Sequence, residues 1–164
     1  MQAGPDSFPI RALDHLWWWP EEARRALREV TEGRPIAVEF RNNSGWTENN
    51  RDSTLAFERE RGLVNVVIDG PQGFGSSVPA VWEATSPELA IVRMHGRNTA
   101  TWEKKGLAAS SDRFNYDYPD EELKEIAERI TVLSRGVPVV HAVLNNNYQD
   151  QGQRNARTLA AFLH

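Results

Sequence analysis

The sequence predicts an α/β fold of parallel strand–helix repeats, and three observations lead to it. Short apolar runs suited to buried strands recur along the chain. Segments whose apolar residues repeat with helical spacing alternate with them. Turn residues, among them Gly33, Gly62 and Gly136, separate the two kinds of segment. This alternation is typical of βαβ units, in which helices cover a parallel sheet.

Each element has its own sequence signal. Helices are predicted to begin at Pro20 and Pro119, because proline suits the first helical turn and acidic residues follow both. Residues 156–163 form a last amphipathic helix, and a weaker pattern predicts a further helix within residues 47–61. The four predicted strands lie in the segments PIAVEF, RGLVNVVID, LAIVRMH and VPVVHAVLN.

We interpret residues 1–164 as a single domain, since a chain of this length can bury a substantial core. Residues 1–19 are predicted to be an irregular N-terminal segment, because Pro5 and Pro9 interrupt any helix. The run Trp17–Trp19 is interpreted as a hydrophobic edge packed on the next element. An exposed interface is the alternative, because tryptophan is enriched in interface hot spots.

Composition narrows the function classes. The chain has no cysteine, so disulfides, thiolate metal sites and a cysteine nucleophile are excluded. A net charge of −4 makes nucleic-acid binding an unfavoured function. The sequence shows no signal-peptide pattern and no apolar run long enough for a membrane span. We therefore expect a cytoplasmic protein that makes no membrane contact.

Polar side chains follow the apolar run of every predicted strand. The carboxyl ends of parallel strands are where α/β folds build their sites. We therefore expect these side chains to gather at one mouth. The candidate catalytic residues are His95, Glu39 and Asp69, and the candidate ligand-binding residues are Arg41, Arg93, Arg97, Asn145 and Asn146.

This mouth is hypothesised to bind a small anionic or phosphorylated ligand. The three arginines would hold the anion, because guanidinium groups suit bidentate capture of phosphate or carboxylate. His95 and Glu39 would transfer protons, and Asp69 would orient His95 or an arginine. Hydrolase or isomerase chemistry is suggested by fold analogy alone.

Two other readings of the same charges stay open. Arg41 with Glu39, and Arg93 with Asp69, could form salt bridges that only fill the mouth. A metal site is disfavoured because arginines in the same mouth would repel a cation, so no metal or cofactor is predicted. The side chains that could ligate a metal are Glu39, Asp69, His95 and His141.

Five blocks in order, VEFRNNSGW, VVIDGPQGF, IVRMHGRN, FNYDYPDEEL and VLNNNYQDQGQRNA, resemble the YecE-like family, also called domain of unknown function 72. The resemblance covers about residues 20–164. One departure is Asn42, which stands where the family usually has histidine. The matching residues are Glu39, Arg41, Trp46, Asp69, Arg93, His95, Gly96, Arg97, Tyr116, Tyr118, Leu123, Asn145, Asn146, Asn155 and Ala156.

The resemblance implies a TIM-type (βα)8 barrel of which this chain holds the C-terminal half, about four βα units. A full barrel takes roughly 250 residues. Four units would leave two open sheet edges, which need a cover. The expected partners are therefore a second copy of the chain or a complementary N-terminal half-barrel. The alternative to a ligand-binding protein is a non-catalytic fragment or subunit of such an assembly, since the family has no settled reaction.

Overall fold

The computed structural model of the chain describes residues 34–164. The irregular segment at residues 1–19, the run Trp17–Trp19 and the helix predicted from Pro20 lie outside the described residues. The strands are β1 (Ile36–Val38), β2 (Leu63–Asp69), β3 (Leu89–Met94) and β4 (Val139–Leu144). The helices are α1 (Arg51–Arg61), α2 (Asp120–Leu133) and α3 (Gln151–Leu163), with short 3-10 helices at Asn43–Trp46 and Ser110–Phe114.

The four strands form one sheet in the order β1-β2-β3-β4, and every pairing is parallel. This confirms the predicted α/β class with a parallel sheet. The weakly patterned helix expected within residues 47–61 is also present as α1. None of the helices in residues 34–164 has the length and apolar run needed to cross a bilayer.

The main core lies between β3 and the helices α2 and α3. Helix α2 follows Pro119 at its N-cap, and three acidic residues occupy its first turn, where they face the positive end of the helix dipole. Its apolar residues recur with helical spacing and so form one buried stripe. The buried members of this core are Val67, Ala90, Val92, Met94, Tyr118, Leu123, Ile126, Ala127, Ile130, Leu133, Val137 and Leu159.

A second core surrounds β1 and α1. Helix α1 ends at Gly62, whose φ of 65° lies in the left-handed region that glycine tolerates best, and β2 follows at once. The turn brings α1 back against β2. The buried members of this second core are Val38, Phe40, Trp46, Leu55, Val66, Ile68, Val78 and Val81.

The register of the strands decides which side chains can meet. Met94 packs in the helix-covered core, so Arg93, the residue before it, points to the opposite face of the sheet. Ile68 is the register partner of Arg93, whereas Asp69 is the partner of Met94. Side chains of register partners share a face, so Asp69 lies on the helix-covered side and Arg93 on the other side.

Candidate functional site

Four side chains close a ring of polar contacts on the face of the sheet away from the helices. Arg93 donates through Nη1 to Glu39 Oε2, and through Nη2 to Asn145 Oδ1 at 3.3 Å. Asn145 Nδ2 lies 3.1 Å from His95 Nδ1, and His95 Nε2 lies 3.4 Å from Glu39 Oε1. The ring thus runs Glu39–Arg93–Asn145–His95 and joins the ends of β1, β3 and β4. We call it the polar ring.

Backbone bonds hold the polar ring at the strand ends. The His95 N–H donates to Asp69 O at 2.8 Å, and the Asn145 N–H donates to Met94 O at 2.7 Å. These bonds continue the parallel ladder past the last residues of β3 and β4. The ring side chains are therefore placed by main chain that is already fixed, and the His95 ring is only 3% exposed.

Glu39 is the charged centre of the polar ring. Arg41 Nη1 donates to Glu39 Oε1 at 2.6 Å, so two guanidinium groups and the His95 ring surround one carboxylate. Burial alone would raise the pKa of Glu39, but hydrogen bonds from His95, Arg93 and Arg41 outweigh it and lower the pKa to about 2. A carboxylate with this pKa is ionised at neutral pH and is a weak base. The geometry favours Glu39 as a charge partner that fixes its neighbours.

A cavity of about 180 Å³ adjoins the polar ring. Trp102 and Phe114 border it near His95, with ring centroids 6.5 Å and 5.9 Å from the imidazole. Ser76 ties this wall together, because Trp102 Nε1 donates to Ser76 Oγ at 3.0 Å. The lining residues are Glu39, Phe40, Arg41, Ile68, Gly70, Pro71, Ser76, Val78, His95, Trp102, Arg113 and Phe114.

Positive charge exceeds negative charge around this cavity. Arg41 and Arg113 line it directly, and Arg93 stands behind Glu39 in the polar ring. Among residues 34–164, Glu39 is the one carboxylate that lines the cavity. A guanidinium carries five N–H donors, so a single bond to Glu39 leaves Arg41 able to donate to a ligand. The arrangement suits an anion.

A second polar cluster forms on the helix-covered side around Asp69, which is 5% exposed. Its Oδ1 accepts from Arg97 Nη2 at 2.7 Å and from Arg97 Nε at 3.0 Å. Its Oδ2 accepts from the Tyr118 hydroxyl at 2.5 Å, and that hydroxyl accepts from the Gly96 N–H at 2.9 Å. Glu122 Oε2 lies 3.5 Å from Arg97 Nη1. We call these five residues the Asp69 cluster.

The pKa shifts in the Asp69 cluster follow from burial and from the pairing of charged groups. Burial and the neighbouring Asp69 carboxylate raise the pKa of the Tyr118 hydroxyl, which stays protonated as a donor. Burial opposes the charge on Arg97, but the hydrogen bonds and charge of Asp69 outweigh it, so the pKa of Arg97 is raised. Asp69 and Arg97 thus form an ion pair to which the Tyr118 hydroxyl donates.

Of the two salt bridges in the alternative reading, Arg41 with Glu39 is present, whereas Arg93 with Asp69 is not, and these two residues do not share one mouth. Arg93 binds Glu39, while Asp69 binds Arg97. Asp69 is the register partner of Met94, so its side chain lies on the helix-covered face of the sheet. Gly96, with a φ of 84°, interrupts the extended chain between His95 and Arg97. Arg97 therefore does not continue the alternation of β3, and it contacts Asp69 and not the polar ring.

Asn146 also lies away from the cavity, on the helix-covered side. It is 0% exposed, and its Nδ2 donates to Tyr116 O at 2.9 Å and to Asn155 Oδ1 at 2.6 Å. Asn155 Oδ1 accepts in addition from the Tyr118 N–H at 3.1 Å. Asn146 and Asn155 thus tie the start of α2 to α3. Asn42 has a local use too, since its Oδ1 accepts from the Ser44 N–H at 2.8 Å and caps a 3-10 helix.

Of the residues considered as metal ligands, Glu39 and His95 meet in the polar ring, Asp69 lies in its own cluster, and His141 is exposed on β4. Within residues 34–164, no three histidine, aspartate or glutamate side chains converge as a metal-binding group.

Arg113 and Phe114 were not among the predicted site residues, although both line the cavity. They belong to the 3-10 helix Ser110–Phe114 inside the long connection from β3 to α2. The length of that connection is the signal that could have drawn attention to it, because long loops at strand ends tend to carry function. No pattern within the loop indicates which of its side chains fold back to His95.

The chain is similar in sequence to known proteins of one family. The family model described as "Protein of unknown function DUF72" matches residues 5–164, so the match begins before residue 20, where the sequence resemblance was expected to start. UPF0759 protein YunF of Bacillus subtilis is 32% identical over 131 residues, which cover 79% of this chain and 46% of that protein.

Solved structures agree with this result. A DUF72 family protein of Enterococcus faecalis V583 is similar with a TM-score of 0.76 and 29% identity, over 88% of this chain and 54% of that one. A DUF72 family protein of Thermotoga maritima MSB8 is similar with a TM-score of 0.70 and 32% identity, over 88% and 53%. The chain thus spans about half the length of the relatives it matches. The chain belongs to the DUF72 family, proteins of unknown function.

Proposed function

We propose that this chain binds a small anionic or phosphorylated ligand in the cavity beside the polar ring. The proposal is based on the excess of guanidinium groups at this cavity. Arg41 and Arg113 line the cavity and Arg93 backs it, while Glu39 lines it and Glu103 accepts from the lining residue Ser76. Arginine binds phosphate and carboxylate groups through paired N–H donors.

The size of the cavity limits the ligand. Its volume of about 180 Å³ is below the roughly 300–1,000 Å³ of drug-sized ligand pockets. A single phosphate or carboxylate with a few attached carbon atoms suits this space. Trp102 and Phe114 offer an apolar surface to the carbon part, while Arg41 and Arg113 offer donors to the charged part.

His95 is the proposed proton carrier of this site. An imidazole can give or take a proton near neutral pH, and His95 lines the cavity. Glu39, ionised and bonded to Arg41 and Arg93, would orient His95 and would not itself transfer the proton. Hydrolysis or isomerisation of a small phosphorylated molecule is the chemistry this arrangement would support, and that assignment follows fold analogy.

Calorimetric titration with inorganic phosphate tests the proposal. We expect measurable binding by the wild-type chain and at least a tenfold weaker affinity for Arg113→Ala, which equals about 1.4 kcal/mol. Arg129→Ala is the matched control, because Arg129 is equally cationic but pairs with Glu125 on α2 and does not line the cavity. Equal affinity for both variants, or no binding by the wild type, would contradict the proposal.

A second candidate function is that of a subunit that completes a TIM-type barrel with another half. Among residues 34–164, β1 pairs only with β2 and β4 only with β3, so each has an unpaired edge. Val139 and Val143, on the same face as Arg93, are 44% and 43% exposed. An open parallel edge beside exposed valines favours pairing with a further strand. The partner would be a second copy or a complementary half-barrel.

Light scattering with a β4 variant tests this second candidate. We expect a dimer mass for the wild-type chain, or a one-to-one complex when a complementary half is added, and a monomer for Val143→Asp. Val132→Asp is the control, since Val132 is exposed on α2, away from the sheet edge. A wild-type chain that stays monomeric and melts cooperatively, alone and with an added half, would contradict this candidate.

A further inference from the structure

Asn145 stands between Arg93 and His95, and the two ends of its carboxamide meet different partners. Its Oδ1 lies 3.3 Å from Arg93 Nη2, and its Nδ2 lies 3.1 Å from His95 Nδ1. Its backbone N–H donates to Met94 O at 2.7 Å, which holds the residue beside β3. Asn145 was expected to bind the ligand directly, but it is absent from the residues that line the cavity.

Hydrogen-bond chemistry allows one orientation of this amide. A guanidinium donates and never accepts, so the atom of Asn145 that faces Arg93 must be the carbonyl oxygen. The NH₂ group is then directed at His95. Because an amide NH₂ also only donates, His95 Nδ1 must be an acceptor without a proton.

The other side of the imidazole agrees with this assignment. A neutral imidazole carries its hydrogen on one nitrogen, and here Nδ1 is the acceptor, so Nε2 carries the hydrogen. Nε2 lies 3.4 Å from Glu39 Oε1, the oxygen of an ionised carboxylate that can only accept. Arg93, Asn145, His95 and Glu39 thus form a chain of donors and acceptors with one consistent direction.

We propose that Asn145 is a positioning residue that holds neutral His95 in the Nε2–H form. Arg93 sets the direction of the Asn145 amide, and the amide in turn sets the tautomer of His95. The Nε2–H group, which faces Glu39 Oε1, is then the hydrogen-bond donor of the ring, while Nδ1 is occupied by Asn145. This inference rests on the proposed function and deepens it, because it specifies Nε2–H as the group of His95 that would donate a hydrogen bond to a bound anion.

Nitrogen-15 NMR of histidine-labelled protein tests the tautomer without any ligand. Spectra are recorded at an alkaline pH, above the ordinary histidine pKa of about 6.5. The chain has four histidines, and the His95 signals are assigned by their loss in His95→Gln. We expect the wild-type signals of His95 to show a protonated Nε2 and an unprotonated Nδ1. The reverse pattern, or an equal mixture of the two forms, would overturn the inference.

Substitution at Asn145 tests the cause. In Asn145→Asp a carboxylate replaces the amide NH₂ and can only accept, so Nδ1 is expected to gain a hydrogen while Nε2 keeps its own toward Glu39. Asn147→Asp is the matched control, because the exposed Asn147 receives the same added charge and should leave Nδ1 unprotonated. A folded Asn145→Asp protein in which Nδ1 stays unprotonated would overturn the inference.

A second variant keeps the test decisive if Asn145→Asp does not fold. In Arg93→Met the amide is free to rotate and only Glu39 still favours Nε2–H, so we expect the population of the Nε2–H form to fall. An unchanged population of that form would show that Arg93 does not set the amide. These spectra need no anion, so the tautomer claim and the phosphate-binding claim can each fail while the other stands.

Discussion

In the described part of the chain, Glu58 is a carboxyl group that is buried without compensating hydrogen bonds. It lies on α1 at 0% exposure, and neither of its carboxylate oxygens has a hydrogen-bond partner. Burial raises its pKa to about 8, and the charge of Arg59 opposes that rise only in part. At neutral pH the folded protein therefore binds a proton at Glu58 that the unfolded chain has released.

Replacing this titratable carboxyl group by a neutral amide should stabilise the protein. The folded pKa lies above the unfolded value of 4.5, so stability is complete below pH 4.5 and falls as pH rises towards 8. We expect Glu58→Gln to raise the free energy of unfolding by about 4 kcal/mol at pH 8, and by much less at pH 4. Urea unfolding at both pH values measures it, and an equal effect at the two would contradict the assignment.

The backbone conformation of Gly96 sets the direction of the chain after His95. Its φ is 84°, and an added Cβ would lie 2.7 Å from Tyr116 Cβ. We expect Gly96→Ala to cost about 2–4 kcal/mol, because backbone strain and a steric clash add together. Gly106→Ala is the control, since Gly106 has a φ of 71° but open space around it, and it should cost about 1 kcal/mol. Similar losses for both, measured by thermal melting, would show that the clash is relieved.

At the scale of elements, the Asp69 cluster joins β2 to the segment after β3 and to the start of α2. The Tyr118 hydroxyl has a double use, because it donates to Asp69 and accepts from the Gly96 N–H. Tyr118→Phe removes both bonds, which leaves the buried Gly96 N–H without its partner and Asp69 bound by Arg97 alone. We expect a loss of about 2–3 kcal/mol in the free energy of unfolding. Tyr116→Phe, which loses a bond to the half-exposed Glu122, should cost less than half as much.

The helices and strands could be predicted from the sequence, because apolar runs and helical spacing reflect burial directly. The placement of polar residues at strand ends could be predicted for the same reason. Which of these polar residues contact each other could not be predicted, because that depends on which residues of neighbouring strands are paired and so share a face of the sheet. Glu39 and Asp69 both end strands, yet Ile68 is the residue paired with Arg93, so Asp69 turns to the helices. The left-handed Gly96 and the fold-back of Arg113 likewise depend on tertiary structure that no local pattern records.

At the scale of the whole molecule, two glutamates oppose each other in their pH dependence. Hydrogen bonds lower the pKa of Glu39 to about 2, so its contribution is present above pH 4.5 and is lost as pH falls towards 2. Glu58 acts in the other direction and destabilises the fold from pH 4.5 up to 8. The two titration ranges meet near pH 4.5.

The stability of the chain should therefore be greatest at about pH 4.5–5, provided that unfolding is a single transition. Urea unfolding across pH 3–9 measures the profile. In Glu58→Gln the alkaline decline should shrink, and in Glu39→Gln the acid decline should shrink. A wild-type maximum near pH 8 would contradict the assignment of Glu58, and a maximum near pH 3 would contradict that of Glu39.

A crystal structure of the chain with bound tungstate would show whether the cavity beside the polar ring is an anion site. The strong anomalous scattering of tungsten marks the anion without ambiguity. We predict the strongest anomalous peak within hydrogen-bond distance of Arg41 and Arg113, on the Nε2 side of His95. Tungstate bound only elsewhere, in crystals where solvent reaches the cavity, would contradict the claim.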